Sequence, residues 1–283
     1  MARTSFTLRL VVAALTATAG ALAVPALSSP ASAAVSGLTS AYNYTPYDSN
    51  NKGLRVDCPT GKKLIGVSES IAGGEGQVRW DQVIPYSDHV YVHAVEDEDG
   101  SPWTWSVGAT VICADQLPGL EIVAQTSTTT SNDYNSVAAD CTGSNQLLGL
   151  GFTINGGSGQ VGIDDNKATS SSRATGWAYE DRTGFSGQWS LTEYAICANP
   201  LAGYEINQVT GADQSSTSTT VTAKCTGTKR IVGGGGQVDG GQGLVVLEDF
   251  AGSFTSFEVK AYEDQTGTSN LWHLHAYAIC ATP

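Results

Sequence analysis

Methionine is all but missing from this chain: its single Met is residue 1, so no packed position can be lost to methionine oxidation. Basic residues are scarce as well, 14 Lys and Arg against 27 Asp and Glu. Nucleic acid and anionic membrane surfaces both need a positive footprint on their partner, so neither is expected here. The longest apolar run, Leu10–Val24, is about 15 residues and interrupted by Thr and Gly, too short and weak for a stable membrane span. Beyond residue 34 no window reads as a capped helix of about ten residues or more. Catalytic signatures are missing too. There is no His-Glu-x-x-His and no Gly-x-Ser-x-Gly elbow, and Gly233–Gly236 lacks the Lys-Ser/Thr of a phosphate loop.

What is present begins with a leader. Arg3 and Arg9 form a positive n-region, Leu10–Val24 an apolar h-region, and Ala31-Ser32-Ala33 a small-residue cleavage site. Residues 1–34 are therefore predicted to be a signal peptide, the mature chain to start near Ala34, and the protein to be secreted, with no membrane insertion after cleavage. No twin Arg and no Cys near the site suggest twin-arginine export or a lipid anchor. Without Arg3 and Arg9 the balance is 12 basic against 27 acidic residues, a net charge of −15. All six cysteines (Cys58, Cys113, Cys141, Cys197, Cys225, Cys280) lie in the mature part. An even count in an exported chain reads as a disulfide framework, which leaves no thiol nucleophile.

The chain repeats itself. Glu96–Ala114, Glu180–Ala198 and Glu263–Ala281 each run Glu-Asp, Gly at +4, Trp at +9, Ile at +16 and Cys at +17. The first Cys of each unit is followed by Gly at +8 (Gly66, Gly149, Gly233) and at +18 (Gly76, Gly159, Gly243), and by an acid at +23 (Asp81, Asp164, Glu248). Units are placed at 36–115, 119–199 and 203–283, joined by connections short enough that neighbours should touch. A feature kept three times reads as scaffold. The recurrent Trp is expected in the core.

Within a unit the hydrophobic pattern has period 2. In the second unit, residues 120–123, 137–141, 147–154, 160–163, 175–180 and 189–198 read as strands bounded by Gly-, Asn-, Asp- and Ser-rich turns. The fold class expected is all-β: three homologous disulfide-bonded sandwich-like modules of about 83 residues. Two pairings respect the repeat: within units (58–113, 141–197, 225–280), which is favoured, or cyclic between units. Closing a loop of this length stabilises by ~4 kcal/mol on the chain-entropy estimate.

A functional residue should be unique to one unit. The four His do not align between units, and His273-x-His275 could share a metal on one strand, but no third ligand stands at a fixed spacing. They are read as solvated or hydrogen-bonded, and no metal and no cofactor is expected. The paired carboxylates (Asp164/Asp165, Glu180/Asp181 and their counterparts) are explained by turn capping; calcium in the turn Glu96–Asp99 and acid catalysis by Asp164 with Glu180 are the alternatives. The better lead is aromatic. Trp80, Trp103 and Trp177 do not recur, and Trp177 occupies the column held by His93 and Lys260. Trp80, Trp177, His93 and Lys260 are the candidate ligand-binding residues, since aromatics beside carboxylates stack on sugar rings and bond their hydroxyls.

The run Cys-Thr-Gly…Leu-Leu-Gly-x-Gly, Ala-Tyr-Glu-Asp-x-Thr-Gly…Trp-x-Leu…Ala-Ile-Cys-Ala resembles uncharacterised repeat modules of secreted actinomycete proteins, over the whole mature chain. That resemblance implies no activity. Cys141, Gly143, Gly149, Gly157, Gly159, Asp164 and Asp165 also give a partial likeness to the vitelline membrane outer layer protein I family, which would imply a single pseudo-threefold β-prism in place of three beads. The functional expectation is a secreted, non-enzymatic binding protein for an extracellular polysaccharide or cell-surface glycan. A structural or protein-interaction role toward a surface protein (coat component, hydrolase inhibitor) comes second, and a glycan hydrolase third.

Overall fold

A computed structural model describes Met1 and Ser32–Pro283. The leader expected over 1–34 therefore lies, apart from Met1 and 32–34, outside the described residues. Among the described residues every regular element is a strand, and no helix is long and apolar enough to cross a membrane.

Each unit contributes six strands. The first has β1 (Thr39–Tyr44), β2 (Lys52–Asp57), β3 (Lys63–Ala72), β4 (Val78–Pro85), β5 (His89–Glu96) and β6 (Ser106–Ala114). The second has β7 (Glu121–Thr126), β8 (Tyr134–Asp140), β9 (Gln146–Asn155), β10 (Val161–Ser170), β11 (Arg173–Glu180) and β12 (Ser190–Ala198). The third has β13 (Glu205–Thr210), β14 (Ser218–Lys224), β15 (Arg230–Asp239), β16 (Val245–Gly252), β17 (Ser256–Glu263) and β18 (His273–Ala281). One strand differs from expectation. β10 continues through Asp164-Asp165-Asn166-Lys167, a polar run that reads as a turn, because a bulge at Asp164 carries the strand on past the acidic pair.

The strands make three six-stranded antiparallel sheets: sheet I (β1-β6-β3-β16-β17-β14), sheet II (β13-β18-β15-β10-β11-β8) and sheet III (β2-β5-β4-β9-β12-β7). Every sheet takes three strands from one unit and three from another. Within a unit the third and fourth strands would be left with bare edges, whose unpaired N–H and C=O groups recruit other strands. Each edge is covered by a neighbouring unit: β3 by β16, β15 by β10, and β9 by β4. The joins close in a ring. No unit completes either of its sheets alone: the three homologous disulfide-bonded β modules interlock through shared sheets, an arrangement also consistent with a pseudo-threefold prism.

Two sets of recurrent glycines follow from that ring. At the centre β3, β9 and β15 converge, and a Cβ on Gly66 would stand 1.9 Å from the Val232 carbonyl oxygen. On Gly149 it would stand 2.8 Å from Gly66 Cα, and on Gly233 2.1 Å from the Leu148 carbonyl oxygen. Only glycine lets three backbones meet this closely. The second set, Gly76, Gly159 and Gly243, has φ of +88°, +87° and +75°, and each packs on the carbonyl of the turn glutamate in a different unit (Glu263, Glu96 and Glu180).

The recurrent Glu-Asp-x-x-Gly…Trp pattern is one hydrogen-bonded device used three times. Trp105, Trp189 and Trp272 are fully buried, and their Nε1 atoms donate to Oε1 of Glu96, Glu180 and Glu263 at 2.7, 2.9 and 2.9 Å. The following Asp accepts from the glycine N–H three residues on, at 3.0, 3.0 and 3.1 Å. The disulfides are Cys58–Cys113, Cys141–Cys197 and Cys225–Cys280, within units as favoured. Each ties the two halves of a unit, which belong to different sheets. Arg79, in the first unit only, is buried and reaches Asp264 Oδ2 at 3.6 Å. Its charge also opposes the upward push of burial on Asp97 and Asp181, so the turn aspartates of all three units share one guanidinium. Gly162, at the equivalent place in the second unit, leaves room for it.

Candidate functional site

At the join of each sheet, six residues line up across all six strands. In sheet II the row is Thr210, His275, Gln237, Asp165, Trp177, Ser136. In sheet III it is Thr126, Thr192, Thr153, Gln82, His93, Gly53. In sheet I it is Tyr44, Gly108, Ser70, Asp249, Lys260, Thr220. Trp177, His93 and Lys260 thus hold the same place in three different sheets. The structure does not bring them together. The scaffold presents three equivalent faces, and each carries different chemistry.

Trp80 belongs to none of them. It is fully buried, and its Nε1 donates to the Glu248 carbonyl oxygen at 2.8 Å across the join between the first and third units. A side chain enclosed in this way cannot stack on a ligand, so Trp80 is a core residue. Its counterparts 22 residues after the first Cys, Ile163 and Leu247, are buried apolar residues too. Trp103, by contrast, is exposed, beside a depression lined by Glu75, Asp99 and Gln265.

His93 and Lys260 are each occupied within the protein. His93 Nδ1 meets Asp81 Oδ1 at 2.7 Å, and that hydrogen bond holds its pKa above the usual imidazole value. Lys260 Nζ lies 4.6 Å from the centre of the Tyr262 ring. His89 pairs with Asp88 at 2.8 Å and stacks on Tyr86.

Sheet II has the richest face. Trp177 is half-buried and stands in a run of near-parallel rings, 5.9 Å from Tyr134 and 6.5 Å from Tyr179. Beside it opens a depression of about 230 Å³ lined by Asp164, Asp165, Lys167, Trp177, Tyr179, Gln237, Asp239 and Gln242. β11 supplies the aromatics, β10 the acidic pair and β15 the amide and Asp239. The period-2 alternation of three adjacent strands puts Trp177, Tyr179, Asp165, Lys167, Gln237 and Asp239 on one surface, and the bulge at Asp164 lets that residue line the depression too.

Charge at the floor is set by burial. Asp165 Oδ2 pairs with Lys167 Nζ at 2.7 Å, yet its pKa is raised, because desolvation outweighs the lysine. Asp164 is pushed well above the ordinary range by burial and then by the like charge of Asp165, so the neutral acid is favoured. Burial, followed by Asp164 and Asp165, lifts the Tyr179 hydroxyl to about 12. Such a surface offers flat apolar faces beside amide, carboxylate and ammonium groups. It suits a ligand with a ring and several hydroxyls.

The alternative chemistries fare differently. Glu180, the second carboxylate of the hydrolase pair, is engaged: Oε1 accepts from Trp189 Nε1 at 2.9 Å and Oε2 from the Phe185 N–H at 2.8 Å. In the turn considered for calcium, Glu96 Oε1 is taken by Trp105 and Asp97 Oδ1 by Gly100. The histidine pair, however, gains a partner that spacing did not reveal. Asp239 on β15 lies opposite His273, and its carboxylate and both imidazoles have donor atoms within 4.8 Å of one another. Asp239 is 34 residues upstream of His273, beyond any local motif. Its one legible signal is that it recurs in neither other unit, where Ala72 and Asn155 stand. No protein-family model matches the chain, and no curated protein matches it significantly.

Proposed function

We propose that this is a secreted, non-enzymatic binding protein that recognises an extracellular polysaccharide or cell-surface glycan on the outer face of sheet II. The observation that carries the reading is the run of Tyr134, Trp177 and Tyr179 rings at the edge of a polar depression. Aromatic faces gain from covering the apolar faces of sugar rings, and the adjacent Gln237, Asp239 and Lys167 can bond ring hydroxyls. Three disulfides support an oxidising compartment, in keeping with the leader read at residues 1–34. The similarity to secreted actinomycete repeat proteins points the same way.

The test is retention of the mature protein on insoluble polysaccharides together with a glycan-array screen. Retention by at least one glycan, lost in Trp177→Ala, is expected. A protein that co-purifies from a native extract while every glycan fails would favour the structural or protein-interaction role instead.

A further inference from the structure

We propose that Asp239, His273 and His275 form a binding site for a divalent transition-metal ion, a two-histidine, one-carboxylate set on the outer face of sheet II. The proposal does not depend on the glycan reading. It rests on how Asp239, His273 and His275 are held.

His273 and His275 are alternate residues of β18 and project to the same side, and Asp239 faces them from β15. Asp239 Oδ2 lies 2.9 Å from His275 Nε2 and 3.5 Å from His273 Nε2. In a tetrahedral zinc site with ligand bonds near 2.0–2.2 Å, neighbouring donor atoms stand ~3.3 Å apart. The two separations bracket that edge.

The outer atoms of all three groups are tied down. His273 Nδ1 meets Asp213 Oδ1 at 2.7 Å, and His275 Nδ1 meets Thr210 Oγ1 at 2.9 Å. Gln208 Nε2 lies 2.8 Å from the same Nδ1; only the flipped carboxamide, oxygen inward, would accept an Nδ1–H there. Asp239 Oδ1 accepts from Gln237 Nε2 at 2.7 Å. Metal-bound histidines characteristically give their second N–H to a carboxylate or another oxygen, which fixes the tautomer and aims the free lone pair. Asp213 Oδ1 is placed to do this for His273, and Thr210 Oγ1 is within reach to do it for His275. With Nδ1 held by Asp213, His273 Nε2 faces Asp239 Oδ2 across 3.5 Å, a gap that an ion coordinated by both atoms would fill.

Imidazole with carboxylate suits zinc, copper or nickel rather than calcium or magnesium. The side chains of His273, His275 and Asp239 are 22%, 12% and 42% exposed, so an ion can enter from solvent and keep open coordination positions toward it.

The experiment is calorimetric titration of zinc chloride into the untagged mature protein after chelator treatment and dialysis, repeated with cobalt to read the visible absorption of the bound ion. One equivalent is expected to bind, with a rise in Tm as zinc is added. His273→Ala, His275→Ala and Asp239→Asn should each abolish binding, while His89→Ala with His93→Ala should leave it unchanged. Thr210→Val, which touches no donor atom of the site, should weaken binding about 10-fold or more. Circular dichroism of each variant separates a lost site from a lost fold, and Asp239→Asn, nearly isosteric, keeps the question answerable should a histidine variant misfold. Wild-type protein that binds no zinc, or binding that survives both histidine substitutions, would overturn the proposal.

Discussion

A Cβ on Gly66 would lie 1.9 Å from the carbonyl oxygen of Val232, in a different repeat. The contact is backbone against backbone, so no side-chain rotation relieves it. Gly66→Ala is expected to destabilise the protein by about 3 kcal/mol or more, beyond ordinary overpacking. Gly61→Ala is the control: its φ is +82° but nothing stands within 4 Å, so only local strain of about 1–2 kcal/mol applies. Denaturant midpoints of the two variants check the difference.

A single repeat should not fold as a monomer. In the fragment 119–199 the Cys141–Cys197 bond could still form, but β9 and β10 would lose β4 and β15, and both sheets would end on open edges. Size-exclusion chromatography with light scattering and near-ultraviolet dichroism should find it unfolded or self-associated. A monomer with a cooperative thermal transition would refute the interlocked ring.

Stability should rise as pH falls from 8 toward 5. Burial and then the Asp249 charge push Glu69 up to about 8, and burial pushes Glu248 to about 8 against the opposing Gly76 N–H. Between the ordinary glutamate value and 8 the folded state holds protons that the unfolded state has released, so folding weakens as pH rises through that window. Glu205 acts in the other direction. Burial raises it, but Lys229 and the Thr226 hydrogen bonds prevail and bring it to about 2, so its contribution is lost only in stronger acid. Thermal melts across pH should peak near pH 5. Glu69→Gln should raise Tm at pH 8 and leave it almost unchanged at pH 5.

Much of the scaffold was legible because it is written three times. Recurrence marked the buried Trp105, Trp189 and Trp272, the central glycines and the disulfide framework. What it could not give is which edge meets which. Period-2 patterning records the face a residue occupies, while strand partners are chosen by tertiary contacts such as Phe250 beside Glu69, 181 residues apart in sequence. Non-recurrence proved ambiguous. It marked Trp177, half-buried on a surface, and equally Trp80, which fills a core position that Ile163 and Leu247 fill in the other units. The chemistry of neighbours in the column separates the cases: Trp177 alternates with His and Lys, Trp80 with aliphatic residues. Arg79, buried among the turn aspartates, had no sequence signal beyond its solitude.

The central functional claim is that one of three equivalent faces has been specialised for binding. It is tested most directly by comparing Trp177→Ala, His93→Ala and Lys260→Ala, the same place in three sheets, for retention on whichever polysaccharide holds the wild-type protein. Loss of about 10-fold or more in affinity for Trp177→Ala, with the other two within 2-fold of wild type, is the expected result, on the usual 1–3 kcal/mol cost of removing a stacked aromatic. Equal losses in all three variants, or none in Trp177→Ala, would contradict it.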